Sequence, residues 1–195
     1  MKTVLPRAPG RPRSTAADAA ILEAAVDLLA EVGLEALTVE GVAARAGVGK
    51  GTVYRRYPGK IDLVVSAVRC YTNVGEPPPD TGTTRGDVRA LVDGLVNILT
   101  ETPLGRTMPI LVAARTRVPE LDIAYAEIVA EKRARSAAVV RRGIERGDFR
   151  ADIDVDVAID AFVSAVFYRF LVTGAPLDAA FRAAVVENAM RAFGR

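Results

Sequence analysis

Histidine and tryptophan are absent from this chain of 195 residues, and cysteine occurs once, as Cys70. Without histidine the sequence lacks the commonest general base and metal ligand, and one cysteine can build neither a metal site nor an internal disulfide. Cys70 lies in an apolar segment, where it is expected to be a small core residue, and a redox-sensing thiol is the alternative. No phosphate-binding glycine loop or nucleophile elbow is present either. These absences predict a protein that is not an enzyme and carries no cofactor.

Long apolar runs are missing as well. No segment reaches the roughly eighteen consecutive apolar residues that a membrane-spanning helix needs, and the first residues lack the apolar core of a secretion signal. Half of all residues are nevertheless apolar, which is enough for a substantial core in a chain of this length. We expect a cytoplasmic protein with no membrane partner.

Acidic residues are missing from the first segment. Residues 1–14 carry four basic side chains and three prolines without a single carboxylate, a composition that predicts a flexible basic arm. The stretch from Gly10 to Arg13 is similar to AT-hook peptides, in which arginines enter the minor groove of DNA. Arg11 and Arg13 are therefore candidate DNA contacts. A tail that only raises solubility is the alternative.

Two short helical patterns then meet at a glycine turn. Apolar residues recur at helical spacing from Val39 to Ala46, and Thr38 is placed to cap this helix. Gly47 supplies the left-handed residue with which many helices end, and a second helix starts near Lys50. Two helices joined by so short a turn predict a helix-turn-helix.

The second of these helices is basic on its outer face. Val53 and Tyr57 can pack back on the first helix, and Pro58 ends the pattern. No acidic residue occurs from Gly41 to Lys60, although an exposed helix usually carries charges of both signs. A merely solvated face is the alternative, but we expect DNA contacts from the outward residues, which are Lys50, Gly51, Thr52, Tyr54, Arg55 and Arg56.

Residues 15–64 resemble the DNA-binding domain of the TetR (tetracycline repressor) family of bacterial transcription regulators. The likeness rests on the first helix ILEAAVDLLAEVGLEALTV, the apolar-patterned VEGVAARAGV and the recognition-helix sequence KGTVYRRYPGK. It implies a three-helix DNA-binding domain over residues 15–60. In that domain Thr38 and the outward residues would contact DNA, and Lys60 would meet a phosphate.

The sequence departs from the family's pattern at two places. Gly49 and Gly59 stand where the family usually has a serine or a similar helix cap, so a capping hydroxyl is missing at both positions. Arg55 and Arg56 replace the more usual aromatic residue and histidine. A known operator sequence therefore cannot be transferred to this chain.

Helical patterns continue to the end of the sequence. The fold class is predicted to be all-α with about nine helices, and residues 61–195 are expected to form an effector-binding and dimerisation domain. The stretch from Arg141 to Asp154 resembles one C-terminal subclass of the family. The six further helices are predicted at about 61–71, 87–100, 104–117, 119–146, 156–173 and 177–193.

The last two predicted helices are apolar over more than one stripe, which indicates a packing surface beyond the protomer's own core. In the family this pair forms a four-helix bundle with its twofold mate. The resemblance thus implies a homodimer and a palindromic operator with half-sites roughly 34–36 Å apart. The candidate interface residues are Val163, Phe167, Phe170, Leu171, Phe181, Ala184, Val185 and Met190.

The resemblance also implies an effector cavity between the helix at 61–71 and the last helix pair. Its candidate lining is mostly apolar, which predicts a lipophilic or aromatic effector, and plain core is the alternative for each residue. The candidates are Val68, Tyr71, Leu95, Ile98, Met108, Leu111, Tyr125, Ile128 and Phe162, with Arg115 or Arg169 as polar anchors.

These features predict a sequence-specific DNA-binding transcriptional regulator. We expect a repressor that a small hydrophobic effector releases from a palindromic operator. A nonspecific architectural DNA-binding protein is the first alternative, and a helical ligand carrier or enzyme without DNA affinity is the second.

Overall fold

The computed structural model describes residues 15–72 and 74–195 of the chain. Within these ranges it contains nine α-helices and no β-strand, which confirms the all-α prediction. In chain order the helices are α1 Thr15–Ala36, α2 Val39–Arg45, α3 Lys50–Tyr54, α4 Lys60–Tyr71, α5 Thr84–Glu101, α6 Leu104–Arg115, α7 Pro119–Glu145, α8 Val155–Tyr168 and α9 Ala179–Phe193.

The first three helices share one small core. Ile21 and Leu29 of α1, Val42 of α2 and Val53 of α3 are all buried. Burial of such side chains contributes roughly 1.5–3 kcal/mol each relative to their exposure. The short helices α2 and α3 therefore depend on this core, because isolated helices of that length are unstable in water.

Helix α4 connects this unit to the rest of the molecule, since it packs on both α1 and α7. Its buried residues, among them Leu63 and Val68, lie on one face. Cys70 falls at the edge of that face, close to the end of the helix, and is exposed. The expectation that Cys70 is a core residue is therefore wrong.

The remaining helices form a bundle around α5, which packs against α6, α7, α8 and α9. The start of α5 is fixed by Asp87, whose side chain is fully buried. Its carboxylate accepts hydrogen bonds from the backbone and hydroxyl of Thr81, at 2.6 and 2.8 Å. Arg142 of α7 and Arg146, directly after its end, pair with the other oxygen at 3.3 and 2.9 Å. One carboxylate thus joins α5, α7 and the preceding loop.

The observed helix bounds differ from the predicted ones where caps decide them. Helix α5 begins three residues early, at Thr84, because Thr83 caps it by accepting a hydrogen bond from the Gly86 amide at 3.1 Å. Helix α8 ends at Tyr168, and the chain continues through a wider π-helical turn over Arg169–Thr173.

No helix in the two described ranges is long and apolar enough to cross a membrane.

Candidate functional site

The turn between α2 and α3 has the predicted local structure. Thr38 caps α2, because its hydroxyl accepts a hydrogen bond from the Gly41 amide at 3.0 Å. Gly47 adopts a φ of 66°, the left-handed region that glycine enters at least cost. Gly49 precedes α3 without a side-chain cap, as its replacement of serine predicts. The result is a short turn that presents one face of α3.

Four residues of α3 and its end form an exposed surface, defined here as the recognition surface: Lys50, Gly51, Tyr54 and Arg55. A Cβ atom added at Gly51 would meet no other atom within 4 Å. Among the described residues, the guanidinium of Arg55 has only a weak contact, at 3.4 Å, with the hydroxyl of the half-buried Thr52. These groups therefore remain available to a partner.

The tyrosine of this surface is held by α2. The hydroxyl of Tyr54 donates a hydrogen bond to the Glu40 carboxylate at 3.1 Å. This hydrogen bond raises the pKa of Tyr54. The ring is therefore held in one orientation, and its hydroxyl stays protonated at neutral pH. Thr38, which precedes α2, is also exposed.

Arg56 does not belong to the exposed surface. Its Nε atom lies 2.5 Å from the Asp18 carboxylate in α1, and its Nη1 donates to the Thr52 carbonyl at 3.1 Å. Only 18% of the side chain is exposed. The expectation that Arg56 points outward is wrong, because its acidic partner comes from a distant segment that the local charge pattern does not include.

Lys60 also has partners inside the protein. Its ammonium donates to the carbonyl oxygens of Leu34 and Glu35 at 3.1 and 3.2 Å, so it joins the start of α4 to the end of α1. An ammonium has three donors, and a phosphate contact by Lys60 stays a prediction. Arg11 and Arg13 lie outside the described residues.

A cavity of about 480 Å³ lies in the C-terminal bundle, lined by residues of α4 to α8. Two of the lining residues, Val68 and Thr72, come from α4 and the position directly after it. Seven of the predicted lining residues border this space, namely Val68, Leu95, Ile98, Met108, Tyr125, Ile128 and Phe162.

Four other predicted cavity residues lie outside the lining. Leu111 is fully buried in the core, and Tyr71 is half-buried against it. Arg115 stacks on the Tyr125 ring at 4.5 Å and pairs with an acid in α7. Arg169 stacks on Phe181 at 4.1 Å. The expectation that these two arginines are polar anchors of the cavity is wrong, because each packs elsewhere.

The polar residues of the cavity come from positions that the sequence reasoning missed. They include Lys132 and Ser136 of α7 and Asn97 of α5. Lys132 follows Tyr125 and Ile128 at i+7 and i+4, so helical spacing from these two residues could have placed it on the same face. Burial lowers the pKa of Lys132 to about 8, with a smaller contribution from the nearby Arg135.

The predicted dimer residues differ in their exposure. Val185 is only 6% exposed and belongs to the protomer's own core, so its assignment to an interface is wrong. Val163 and Phe167 border the cavity. Leu171 and Ala184 are exposed, whereas Phe170, Phe181 and Met190 are half-buried. Three large exposed residues on or beside α8 were missed, namely Val157, Tyr168 and Val172.

A capped helix, a glycine turn and a second helix with an exposed basic surface define a helix-turn-helix DNA-binding protein. Residues 21–67 match the family model of bacterial regulatory proteins of the TetR family. Residues 78–189 match the tetracyclin repressor-like C-terminal domain. The chain therefore belongs to the TetR family of transcriptional regulators.

Individual relatives agree with this assignment. The uncharacterised HTH-type transcriptional regulator YdeS of Bacillus subtilis (strain 168) is 31% identical over 93% of this chain and 92% of its own length. The crystal structure of the TetR family transcription regulator SCO0332 is 34% identical, with a TM-score of 0.67 over 92% of this chain and 99% of that one.

A second similar structure contains a ligand. The transcriptional regulator FadR of Bacillus subtilis, solved in complex with stearoyl-CoA, has a TM-score of 0.73 and is 20% identical, covering 88% of this chain and 97% of that one. At this identity the likeness shows the fold.

Proposed function

We propose that this TetR-family regulator is a homodimeric repressor that binds a palindromic operator and leaves it when a small, mostly apolar effector fills the cavity. The observation that carries the proposal is the position of α4. Its first residue, Lys60, is bonded to α1 of the DNA-binding unit. Val68 and Thr72, at its other end, line the cavity. One helix thus contacts both proposed sites.

The proposed DNA-binding domain spans residues 15–60. Its base contacts are assigned to the recognition surface, where Arg55 can donate two hydrogen bonds to guanine. Thr38, Thr52 and Lys60 are assigned to phosphates, and Arg56 contributes by holding α3 in place through Asp18. The basic arm, with Arg11 and Arg13, adds attraction for the duplex.

The proposed dimer interface lies on α8 and α9. Tyr168 and Val172 are 60% and 67% exposed, and Leu171 lies between them. Exposed apolar side chains at this i, i+3, i+4 spacing favour burial against a second copy. Twofold symmetry would place two recognition surfaces roughly 34–36 Å apart, one turn of B-DNA, which requires an inverted repeat.

The effector is proposed to act through ion pairs that join α4 and the DNA-binding unit to the bundle. Arg69 of α4 pairs with Glu131 of α7 at 2.6 Å. Arg106 of α6 pairs with Asp27 of α1 at 2.8 Å. A ligand that binds one arrangement of these helices more tightly shifts the population toward that arrangement. The loss of DNA affinity cannot exceed the difference in the ligand's binding free energy between the two arrangements.

The comparison with FadR supports an apolar effector. That protein has the same fold and is in complex with stearoyl-CoA, a ligand with a long acyl chain. The cavity of this chain is bordered by residues such as Leu95, Met108 and Phe162, which suit an apolar ligand body. A chromosomal operator implies that the protein acts in the cytoplasm.

The experiment is selection of bound duplexes from a random library at physiological salt, followed by sequencing. We expect one inverted repeat to be enriched and to bind at least ~10³-fold more tightly than random DNA. Retention of DNA without an enriched motif would instead favour an architectural protein. Absence of DNA retention would contradict the helix-turn-helix function altogether.

A further inference from the structure

The cavity contains one cationic side chain that has no partner. Lys132 lines the cavity from α7 and makes no hydrogen bond or ion pair with any residue in 15–72 or 74–195. The neighbouring cavity residues on the same face of α7 include the aromatic Tyr125, the aliphatic Ile128 and the uncharged Ser136. Lys132 is half-buried, and a lysine withdrawn from water is usually paired.

The other cations at the cavity are already neutralised. Arg133 binds two acids of α8, with hydrogen bonds to Asp156 at 2.8 Å and to Asp160. Arg135 lies 3.7 Å from the Glu76 carboxylate and donates to a loop carbonyl at 3.0 Å. Arg133 therefore joins α7 to α8. Arg135 joins α7 to the loop that contains Glu76 and Pro77.

The acid at the cavity is neutralised as well. Asp93 of α5 lies 3.5 Å from the Arg182 guanidinium, which also donates to Asn97 at 2.6 Å. Asp93 is thus paired with α9 and does not contact Lys132. Glu76 also lies near enough for its charge to raise the pKa of Lys132, but less than burial lowers it, and its ion pair is with Arg135. Among the described charged residues that line the cavity, Lys132 is therefore the one without an ion-pair partner.

This unpaired charge is costly in the absence of a ligand. Withdrawal of an ammonium from water without a partner disfavours its charged form. The lowered pKa of Lys132 reflects this cost, since burial is its largest cause. At about 8 the pKa still leaves the side chain mostly charged at neutral pH. An anion in the cavity would supply the missing partner.

We propose that the effector is an amphipathic organic anion, whose acidic group binds the Lys132 ammonium and whose apolar body packs on the cavity wall. This inference rests on the proposed effector function and specifies its ligand class. A neutral apolar ligand would displace water from the ammonium without supplying a hydrogen-bond acceptor or a negative charge to replace it. An acid gains a charge-assisted hydrogen bond, which is stronger than a neutral one.

The test compares three probes with the same ten-carbon body and different head groups, namely decanoate, decanol and decylamine. Each probe is titrated against the full-length protein loaded with the neutral fluorescent dye N-phenylnaphthylamine at neutral pH, and displacement of the dye is measured. We expect decanoate to compete at roughly tenfold lower concentration than decanol, or better, and decylamine to compete least.

Matched variants then assign the preference to one side chain. Lys132→Met keeps the apolar stem and removes the charge, so it should reduce the advantage of decanoate over decanol to near one. Lys132→Arg keeps the charge and should retain the preference. Arg141→Met removes the same charge from an exposed position of α7, and it should leave the preference unchanged.

Three results would overturn the proposal. These are equal competition by the three probes, a preference for decanoate that persists in Lys132→Met, and failure of decanoate to compete. DNA release is scored separately on the selected operator. A preference that depends on Lys132 without release of DNA would support the ligand class and contradict the repressor mechanism, so the two failures are distinguishable.

Discussion

The DNA-binding unit and the C-terminal bundle use their basic residues in opposite ways. On the recognition surface, Lys50 and Arg55 have no acidic partner among the described residues. In the bundle, Arg142 and Arg146 both pair with the fully buried Asp87. The first region leaves positive charge for a partner outside the protein, whereas the second uses it to hold helices together.

The difference follows from solvation. An exposed guanidinium is hydrated, so it costs little free energy to leave it unpaired. It can exchange this water for a phosphate or a base when DNA binds. A buried carboxylate cannot be left unpaired, because its desolvation must be offset by several donors. The unpaired Lys132 resembles the recognition surface in this respect, although it lies in the bundle.

The largest effect is expected at Asp87. Asp87→Ala removes the partner of Arg142 and Arg146 and the acceptor for Thr81, and it should lower the free energy of unfolding by about 3 kcal/mol. Urea denaturation measures this loss. Asp80→Ala is the control, because Asp80 pairs with the same arginines but is 60% exposed, so its loss should cost less than about 1 kcal/mol.

Acid should affect the same site. Burial raises the pKa of Asp87, but hydrogen bonds from Thr81 and Arg146 outweigh it and hold the pKa below its usual value. A depressed folded-state pKa stabilises the fold above the unfolded value of about 3.9 and loses this contribution as pH falls through the folded value. Asp87→Asn should therefore be less acid-sensitive below about pH 4 than the wild type in denaturation curves. An unchanged acid limb would contradict the assignment.

The next effect concerns DNA. If Arg55 reads guanine, Arg55→Ala should remove roughly 1–3 kcal/mol of discrimination at one position of each half-site. Lys60→Ala should weaken binding to all sequences alike. Binding to the selected operator and to single-base variants measures both. Equal losses on every sequence for both variants would contradict base recognition by Arg55.

A smaller effect is expected for the ion pair between Arg56 and Asp18, which keeps Arg56 away from the recognition surface. Its contribution to the free energy of unfolding should be about 1 kcal/mol. A double-mutant cycle with Asp18→Ala and Arg56→Ala should give a coupling of that size in unfolding free energy. Arg56→Ala and Asp18→Ala should also weaken operator binding to a similar extent, because both release α3. A much larger DNA effect from Arg56 than from Asp18 would show that the arginine contacts DNA directly.

The smallest effect on stability is expected at Gly51. Gly51→Ala has free space for its methyl group, and it should stabilise the protein by about 0.5 kcal/mol because alanine favours helix. Operator binding should nevertheless weaken, since the methyl group would meet the groove. Gly94→Ala, also with free space but in α5, where it lines the cavity, should stabilise without any change in DNA affinity in the absence of effector. Unchanged operator binding by Gly51→Ala would remove Gly51 from the proposed interface.

The sequence was sufficient for features that depend on local spacing. Apolar periodicity, the Thr38 cap and Gly47 predicted the helix-turn-helix, because each acts within a few residues. Family resemblance added the helical bundle, and seven of the predicted cavity residues border the observed space.

Long-range partners were not predictable from local patterns. Arg56 was assigned to the outer face because Asp18, its partner, is 38 positions earlier in the chain. Arg115 and Arg169 were assigned to the cavity because their stacking on aromatic rings depends on the tertiary fold. Lys132 was missed because a lysine is normally expected on the solvent face of a helix, although its spacing from Tyr125 and Ile128 places it on the cavity face.

Helix α4 has a mechanical consequence. Its 12 residues span about 18 Å at 1.5 Å per residue, from the anchored Lys60 to the cavity wall. A lever of that length turns by about 3° when its free end is displaced by about 1 Å. In the proposed dimer, the same angle amounts to about 2 Å across a half-site separation of roughly 34–36 Å. Hydrogen bonds to base edges tolerate displacements of only a few tenths of an ångström. A displacement of about 1 Å at the cavity end of α4 would therefore be enough to move the two recognition surfaces out of register with the major groove.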